Sequence, residues 1–346
     1  MTKIISKKRL IVVIDIGGTY LRCAFWNNKG VTHLIRESSP SFIKYPDDNV
    51  LKLKERLINA IIEKLPTIRN SLTVSISLGA ALNHNTGEVY GSAPLWGANE
   101  VNFNLLDELY TKRPDIHWIL MNDVTAMAIH FASQHICRNV RKAMLITISS
   151  GIACRVFETS PFNVNFDRSG LQGEIGHLPY SNMPLYLECD CGTIGHLAAY
   201  SSGRGIHRIY DYLYQEKYGE SQSHTNFEDY FKNKLQNGDK FCIDVLKTAM
   251  QPLADIISTS IVLDPSIELV GLSGGVTDSL PLFVKNAIIE RLISHGPYIT
   301  AKHNQKWLND FIFICPHNTA SALYGAGIAA EKYEDEWIKR HIPNKG

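Results

Sequence analysis

A run of apolar residues, Leu10-Ile11-Val12-Val13-Ile14, ends on Asp15 and passes through Ile16 into Gly17-Gly18-Thr19, and this stretch constrains the chain more than any other. Successive Val and Ile residues make a buried strand, which fixes a carboxylate at its end. Gly17 and Gly18 let the backbone turn tightly and bring N–H groups up to phosphate oxygens with no Cβ in the way. Thr19 adds a hydroxyl donor, and Asp15 can hold Mg²⁺ through water. The same residues also suit an ordinary hairpin turn, so on this stretch alone both readings stand. Two later strands that end in small-residue turns, Ser149-Ser150-Gly151 and Ser273-Gly274-Gly275, together with the strand-end pair Asn122-Asp123, favour the phosphate.

At 346 residues the chain is long enough for two domains, or two lobes around a cleft. Lys and Arg number 35 against 34 Asp and Glu, so no net field draws nucleic acid or an anionic membrane, and neither is an expected partner. Apolar residues are dispersed in short runs, which argues against a transmembrane helix. Met1 to Lys8 is basic but passes directly into the first strand, where no signal peptide fits. Of seven cysteines only Cys189 and Cys191 are close together, a pattern of reduced cytoplasmic thiols with one pair available to a metal.

Cys23–Trp26 reads as the hairpin partner of the first strand and Val31–Ile35 as a third strand, an antiparallel start to a sheet. Leucines and isoleucines at helical spacing predict a helix over about 50–65, ending near Pro66. A strand over 72–78 follows, then a long polar loop containing Asn83, Asn85, Gly87, Pro94, Trp96 and Gly97, and loops of that kind carry function. Helices over 105–110, 124–134, 251–263 and 320–330 alternate with strands over 117–121, 143–148 and 268–272, which marks an α/β protein. The expected division is an N-terminal lobe over 1–134, with a helix over 328–346 packing back on it, and a C-terminal lobe over 135–327.

Asp15-Ile16-Gly17-Gly18-Thr19, Asn122-Asp123, Gly173-Glu174-Ile175-Gly176-His177, Cys189-x-Cys191-Gly192-x-x-Gly195 and Ser273-Gly274-Gly275-Val276 stand in the order and rough spacing of the ROK family, which the chain resembles from about residue 10 to 330. The resemblance implies a two-lobed, actin-like (ribonuclease H-like) ATPase fold. The repressor branch of that family carries an N-terminal helix-turn-helix, for which the start of this chain leaves no room, so a kinase using ATP and Mg²⁺ is the expectation, with homodimers common in the family.

Transfer of a phosphoryl group to an alcohol needs a base, electrostatic cover for the phosphates and in-line positioning. By resemblance Asp123 is the base and Asn122 holds substrate hydroxyls, while Glu174 accepts from sugar hydroxyls. By residue type alone, without the flanking motifs, Asn122-Asp123 favours a helix cap. His177 is similar to a residue that both contacts sugar and ligates zinc. The phosphate and adenosine turns correspond to Ser150 and Gly151 and to Gly274 and Gly275; Arg155, where the family has a small residue, either reaches a phosphate or points to solvent. The family's knuckle supplies a third thiolate where this chain has His196; His177, Cys189, Cys191 and His196 still form a tetrahedral zinc set. The competing reading is a loop held without metal.

Two further departures bear on the substrate. Glucose kinases of the family carry Asn where this chain has Leu95, and Glu where it has Ala198. Each loss leaves a buried hydroxyl without a partner, at a cost of about 1–3 kcal/mol. Plain glucose is therefore disfavoured, and a C7-cyclitol of the valiolone type or a modified hexose is expected, with Asn83, Asn99 and Asn102 as possible substitutes. Alternatives are a hexose kinase of the glucokinase or fructokinase type and a non-catalytic sugar sensor. A dinucleotide oxidoreductase is set aside, because Gly17-Gly18-Thr19 lacks the Gly-x-Gly-x-x-Gly spacing and feeds a second strand.

Overall fold

The computed structural model describes residues 10–27, 29–67, 72–97, 102–183, 185–222, 224–297 and 305–332. The expectations placed on Met1–Lys8 and Asn99 lie outside them. The chain divides into two compact units, the first comprising residues up to 131, the segment 166–171 and the residues from 321 on, the second comprising 132–165 and 172–320.

The first unit opens on β1 (Leu10–Ile16), β2 (Tyr20–Asn27) and β3 (Gly30–Ser38), paired antiparallel as hairpins. Helix α1 (Val50–Glu63) starts where Asn49 accepts from the Lys52 N–H, and it buries Leu53, Leu57, Ile58 and Ile61 on one face. It delivers β4 (Leu72–Leu78), all seven residues of which are buried because the strand is central. The segment read as a long loop is instead a three-stranded sheet of β5 (Ala81–Leu82), β6 (Glu88–Gly91) and β7 (Phe103–Asn104), with the short helix α2 (Ala93–Trp96). Its strands are too short for periodicity to mark them. Next come α3 (Leu105–Lys112), β8 (Ile116–Asn122) and α4 (Asp123–Ala132), completing a sheet of order β3-β2-β1-β4-β8. The segment 166–171, read as part of the second half, packs here: Ser169 O accepts from Tyr90 Oη at 3.0 Å, and the Phe166 ring lies 4.3 Å from that of His84.

The second unit repeats the wiring. Strands β9 (Lys142–Ile148), β10 (Ile152–Thr159) and β11 (Phe162–Val164) form hairpins, and β12 (Ile267–Ser273) and β13 (Ile312–Ile314) join in parallel, in the order β11-β10-β9-β12-β13. Between β11 and β12 lie α5 (Leu197–Ser201), α6 (Gly203–Tyr218), α7 (Phe227–Gln236) and α8 (Lys240–Leu263). The helix expected over 251–263 is the second half of α8. Pro252 suits a first turn and so looks like a start in the sequence, yet α8 runs through it, with buried Val245, Leu246, Ala249 and Met250 holding the preceding turns. Helices α9 (Gly275–Ser279), α10 (Pro281–His295) and α11 (Gln305–Phe311) follow β12.

The helix Ala322–Lys332 returns to the first unit, where Leu323 and Ala326 meet Val13 and Ala24. Of the helix expected over 328–346, Ile328–Lys332 belong to this element and 333–346 lie outside the described residues. Its start is latched by His130, whose Nδ1 accepts from the Ser321 N–H at 2.9 Å and whose ring stacks on Tyr324. Burial pushes the His130 pKa down to about 4. Above pH 6.5 the group is neutral folded and unfolded; as pH falls from 6.5 towards 4 only the unfolded chain takes the proton, so stability drains through that window. The loss is of order 2–3 kcal/mol for this one site. Unfolding free energy measured from pH 7 to pH 4 should fall less steeply for His130→Gln than for the wild type, and equal slopes would remove His130 from the account.

Candidate active site

In the first unit β1, β4 and β8 run parallel and in register, with Ile16 beside Leu78 and Leu78 beside Asn122. Their carboxyl ends therefore finish together, where open α/β sheets take ligands. A Cβ on Gly79 would stand 3.3 Å from Ile16 O, 3.4 Å from Asp123 Oδ2 and 3.6 Å from Gly17 Cα, so the glycine turn and Asp123 share one small space.

Asp15 is 4% exposed, and both of its carboxylate oxygens accept from side chains. Ser77 Oγ donates to its Oδ1 at 2.8 Å, and Arg22 donates to its Oδ2 through Nε at 2.9 Å and also through Nη2. Asp15 and Arg22 face each other across the β1–β2 hairpin, so the buried charge is paired. Each carboxylate oxygen has two lone-pair sites, and one protein bond to Oδ1 leaves capacity for a metal-bound water.

The two glycines divide their roles differently from the expectation. The Gly17 N–H closes the turn onto Tyr20 O at 3.0 Å, while the place its Cβ would occupy has nothing within 4 Å, which suits a close-approaching ligand. Gly18 is needed for packing, because a Cβ there would stand 2.5 Å from Pro94 O. Thr19 is exposed, and its carbonyl accepts from the Ser39 N–H.

Asn122 caps α4: its Oδ1 accepts from the N–H groups of Val124 at 2.9 Å and Thr125 at 3.4 Å, and its Nδ2 donates to Ala80 O at 2.9 Å. Asp123 begins α4 with Oδ1 accepting from Val124 N–H, so its carboxylate sits at the positive end of the helix dipole. Leu95 and Ala198, read as substrate-facing, are closed off. Leu95 is 0% exposed in the apolar core beside Trp96, and Ala198 lies in the core of the second unit. Leu95 presents no surface to a ligand, and Ala198 keeps 9% exposure.

In the second unit the Ser149-Ser150-Gly151 turn is exposed, closed by Ser149 N–H on Gly151 O and tied to α6 by Gly203 N–H on Ser149 O. Gly274 packs its backbone on Ile148 at the end of β12, and Gly151 and Gly275 have nothing within 4 Å of a Cβ position. These open, Cβ-free turns fit phosphate and nucleoside approach. The loop carrying Glu174 lies on the backbone of β10. Gly173 O accepts from the Cys154 N–H at 2.8 Å, and Gly173 has φ +73°, where a Cβ would run into Cys154 O. Arg155 neither meets solvent nor stands ready for a phosphate. It is 2% exposed, its Nη1 donates to Cys154 O and Gln172 O, and its Nη2 lies 4.0 Å from Glu174 Oε1.

Glu174 leads into a one-turn helix, Ile175–His177, and His177 joins Cys189, Cys191 and His196 with their ligand atoms all within 4.8 Å of one another. Cys191 Sγ and His196 Nδ1 are 3.2 Å apart, close to the separation of two ligands on a tetrahedral zinc. Burial, and then His177, lowers the His196 pKa, which favours the neutral ring that a metal ligand needs. Against the effect of burial, hydrogen bonds from Thr193 and Cys189 pull the Cys191 thiol below its ordinary value, whereas burial dominates at Cys189 and raises it. Asp190, between the two thiols, pairs with Arg204 at 2.6 Å and Arg208 at 2.8 Å and so fastens the knuckle to α6. No spacing pattern announced this clamp or the burial of Arg155.

The family model described as ROK family matches residues 11–309. The chain belongs to the ROK family. Among its ROK relatives, the 2-epi-5-epi-valiolone 7-kinase of Actinoplanes sp. is 37% identical over 334 residues, 92% of each chain. A C(7)-cyclitol 7-kinase of Streptomyces hygroscopicus subsp. jinggangensis is 28% identical over 269 residues, covering 72% of this chain and 74% of that one. The ROK hexokinase of Thermus thermophilus superposes with a TM-score of 0.68 at 18% identity, covering 94% of this chain and 99% of that one. A ROK family transcriptional regulator, a homolog of the E. coli MLC protein, gives 0.74 at 20% identity, over 96% and 81%. The fold is thus the actin-like (ribonuclease H-like) ATPase fold that ROK hexokinases have, and it serves an enzyme and a regulator alike. In this ROK protein, Gly173→Ala should lower stability by about 1–3 kcal/mol, because both the left-handed backbone and the contact with β10 oppose a side chain. A melting temperature within a degree of wild type would show that the loop does not rest on β10 as described.

Proposed function

We propose that this protein is an ATP-dependent kinase that phosphorylates an alcohol group of a C7-cyclitol of the valiolone type. The observation that carries this reading is the 37% identity to a 2-epi-5-epi-valiolone 7-kinase over 92% of both chains. With Leu95 and Ala198 enclosed, the preference for a cyclitol over glucose rests on that relationship and not on those two side chains.

Asp123 takes the proton of the attacking hydroxyl through its carboxylate, beside Gly79 and the Gly17 turn. Glu174 and His177 bind and orient the polyol hydroxyls, and Asn122 holds the α4 N-terminus that presents Asp123. Gly17, Gly18 and Thr19, with Ser150, Gly151, Gly274 and Gly275, form the turns for ATP. Asp15 would hold Mg²⁺ through water, and the ion would offset phosphate charge. A structural zinc on His177, Cys189, Cys191 and His196 would fix the loop that presents Glu174. We place the protein in the cytoplasm as a homodimer; its seven cysteines are mostly scattered along the sequence, which suits reduced thiols. No described helix is long and apolar enough to cross a membrane.

The regulator that shares the fold supports a second reading, a sugar sensor without catalysis. ATP consumption with a panel of polyols separates the two. A valiolone-type cyclitol should exceed glucose in kcat/KM by at least about tenfold, the factor a 1.4 kcal/mol difference gives. Glucose turning over better than every cyclitol would overturn the substrate, and no polyol-dependent ATP use would favour the sensor. Asp123→Asn should cut kcat by roughly 10²–10⁴-fold with little change in KM for the polyol. Metal analysis should find close to one zinc per chain, reduced in Cys189→Ser; zinc-free protein whose melting temperature ignores chelators would remove the metal.

A further inference from the structure

Arg155 is the least expected charged residue of the second unit. Its neighbours on β10 are apolar or small, yet a guanidinium stands there 2% exposed, where burying an unpaired charge costs several kcal/mol. The structure shows how it is accommodated: Nη1 donates to the carbonyls of Cys154 and Gln172, and Nη2 faces Glu174 Oε1 at 4.0 Å. The Gln172 carbonyl lies two residues before Glu174 in the same loop, and the Cys154 backbone also holds that loop through Gly173 O. Gln172 is tied down as well, its Oε1 accepting from Val156 N–H at 2.8 Å and its Nε2 donating to Val156 O at 3.0 Å. The guanidinium is therefore fixed on both sides by backbone that does not titrate.

We infer that Arg155 is a positioning residue for substrate recognition, a buried cation that orients the Glu174 carboxylate toward polyol hydroxyls. At 4.0 Å the contact is an ion pair without being a hydrogen bond, so the charge attracts the carboxylate but uses none of its lone pairs. Glu174, with 36% of its side chain exposed, then offers those lone pairs to donors in the substrate. Arg155 itself is too enclosed to touch the substrate and acts through Glu174. This rests on the proposal that Glu174 binds the polyol.

The test is a double-mutant cycle on the full-length protein with a valiolone-type cyclitol and ATP. Arg155→Lys keeps the charge but not the planar fork, and it should raise the KM for the polyol about tenfold while the KM for ATP and kcat stay within about twofold. Glu174→Gln should raise the same KM, and adding Arg155→Lys to Glu174→Gln should raise it no further. Multiplying effects in the double variant, or equal losses in kcat and both KM values for Arg155→Lys, would overturn the inference. If Glu174→Gln leaves the polyol KM unchanged, the proposed role of Glu174 fails first and Arg155 falls with it. Should Arg155→Lys not fold, the melting temperature of Glu174→Gln decides: removing the carboxylate charge beside a buried guanidinium should lower it by about 2 °C or more, and an unchanged value overturns the pairing.

Discussion

Everything in the first unit depends on three parallel strands that stop at the same level. Because β1, β4 and β8 pair without slippage, the residues just past each strand (Gly17, Gly79 and Asp123) meet in one place although some sixty and forty positions separate them in the chain. A slip of one residue in the β4–β8 pairing would displace Asp123, and one in the β1–β4 pairing would displace the glycine turn, so that the two no longer meet. Every residue of β4 is enclosed, and Ser77 donates to Asp15, its partner in the β1–β4 pairing, at 2.8 Å, a contact that only this register makes.

The second unit solves a different problem, that of holding a polar loop still. Its means are backbone contact and charge: Gly173 against Cys154, Arg155 against two carbonyls and Glu174, and Asp190 against Arg204 and Arg208. The knuckle is accordingly pinned from α6 by charge, an anchor that does not depend on any metal.

Most of the frame was readable from the sequence, since long apolar runs and helical spacing report burial directly: β1, β4 and α1 fall within two residues of their expected ends. The failures share a cause. Strands of two residues such as β5 and β7 carry no period, and a helix that runs through a proline looks like one that begins there. Side-chain roles set by distant partners were equally hidden. Gly18 is small because of Pro94, Asn122 is spent on a helix start and on Ala80, and Arg155 is buried by a loop 17 residues on. Arg22 was the recoverable one, because the hairpin register sets it opposite Asp15. Motif resemblance named the chemistry but not the contacts that aim it.

The helix Ala322–Lys332 has a bearing on how the chain is made. Its residues Leu323 and Ala326 cover Val13 and Ala24, so an apolar patch of the sheet that begins at residue 10 is packed by residues about 300 positions later. On the ribosome, where domains ordinarily finish in N- to C-terminal order, the leading unit must wait with that patch open while the whole of the trailing unit emerges. A chain cut short before the last helix would leave Val13 and Ala24 without the cover of Leu323 and Ala326, an exposed apolar patch of the kind that promotes aggregation.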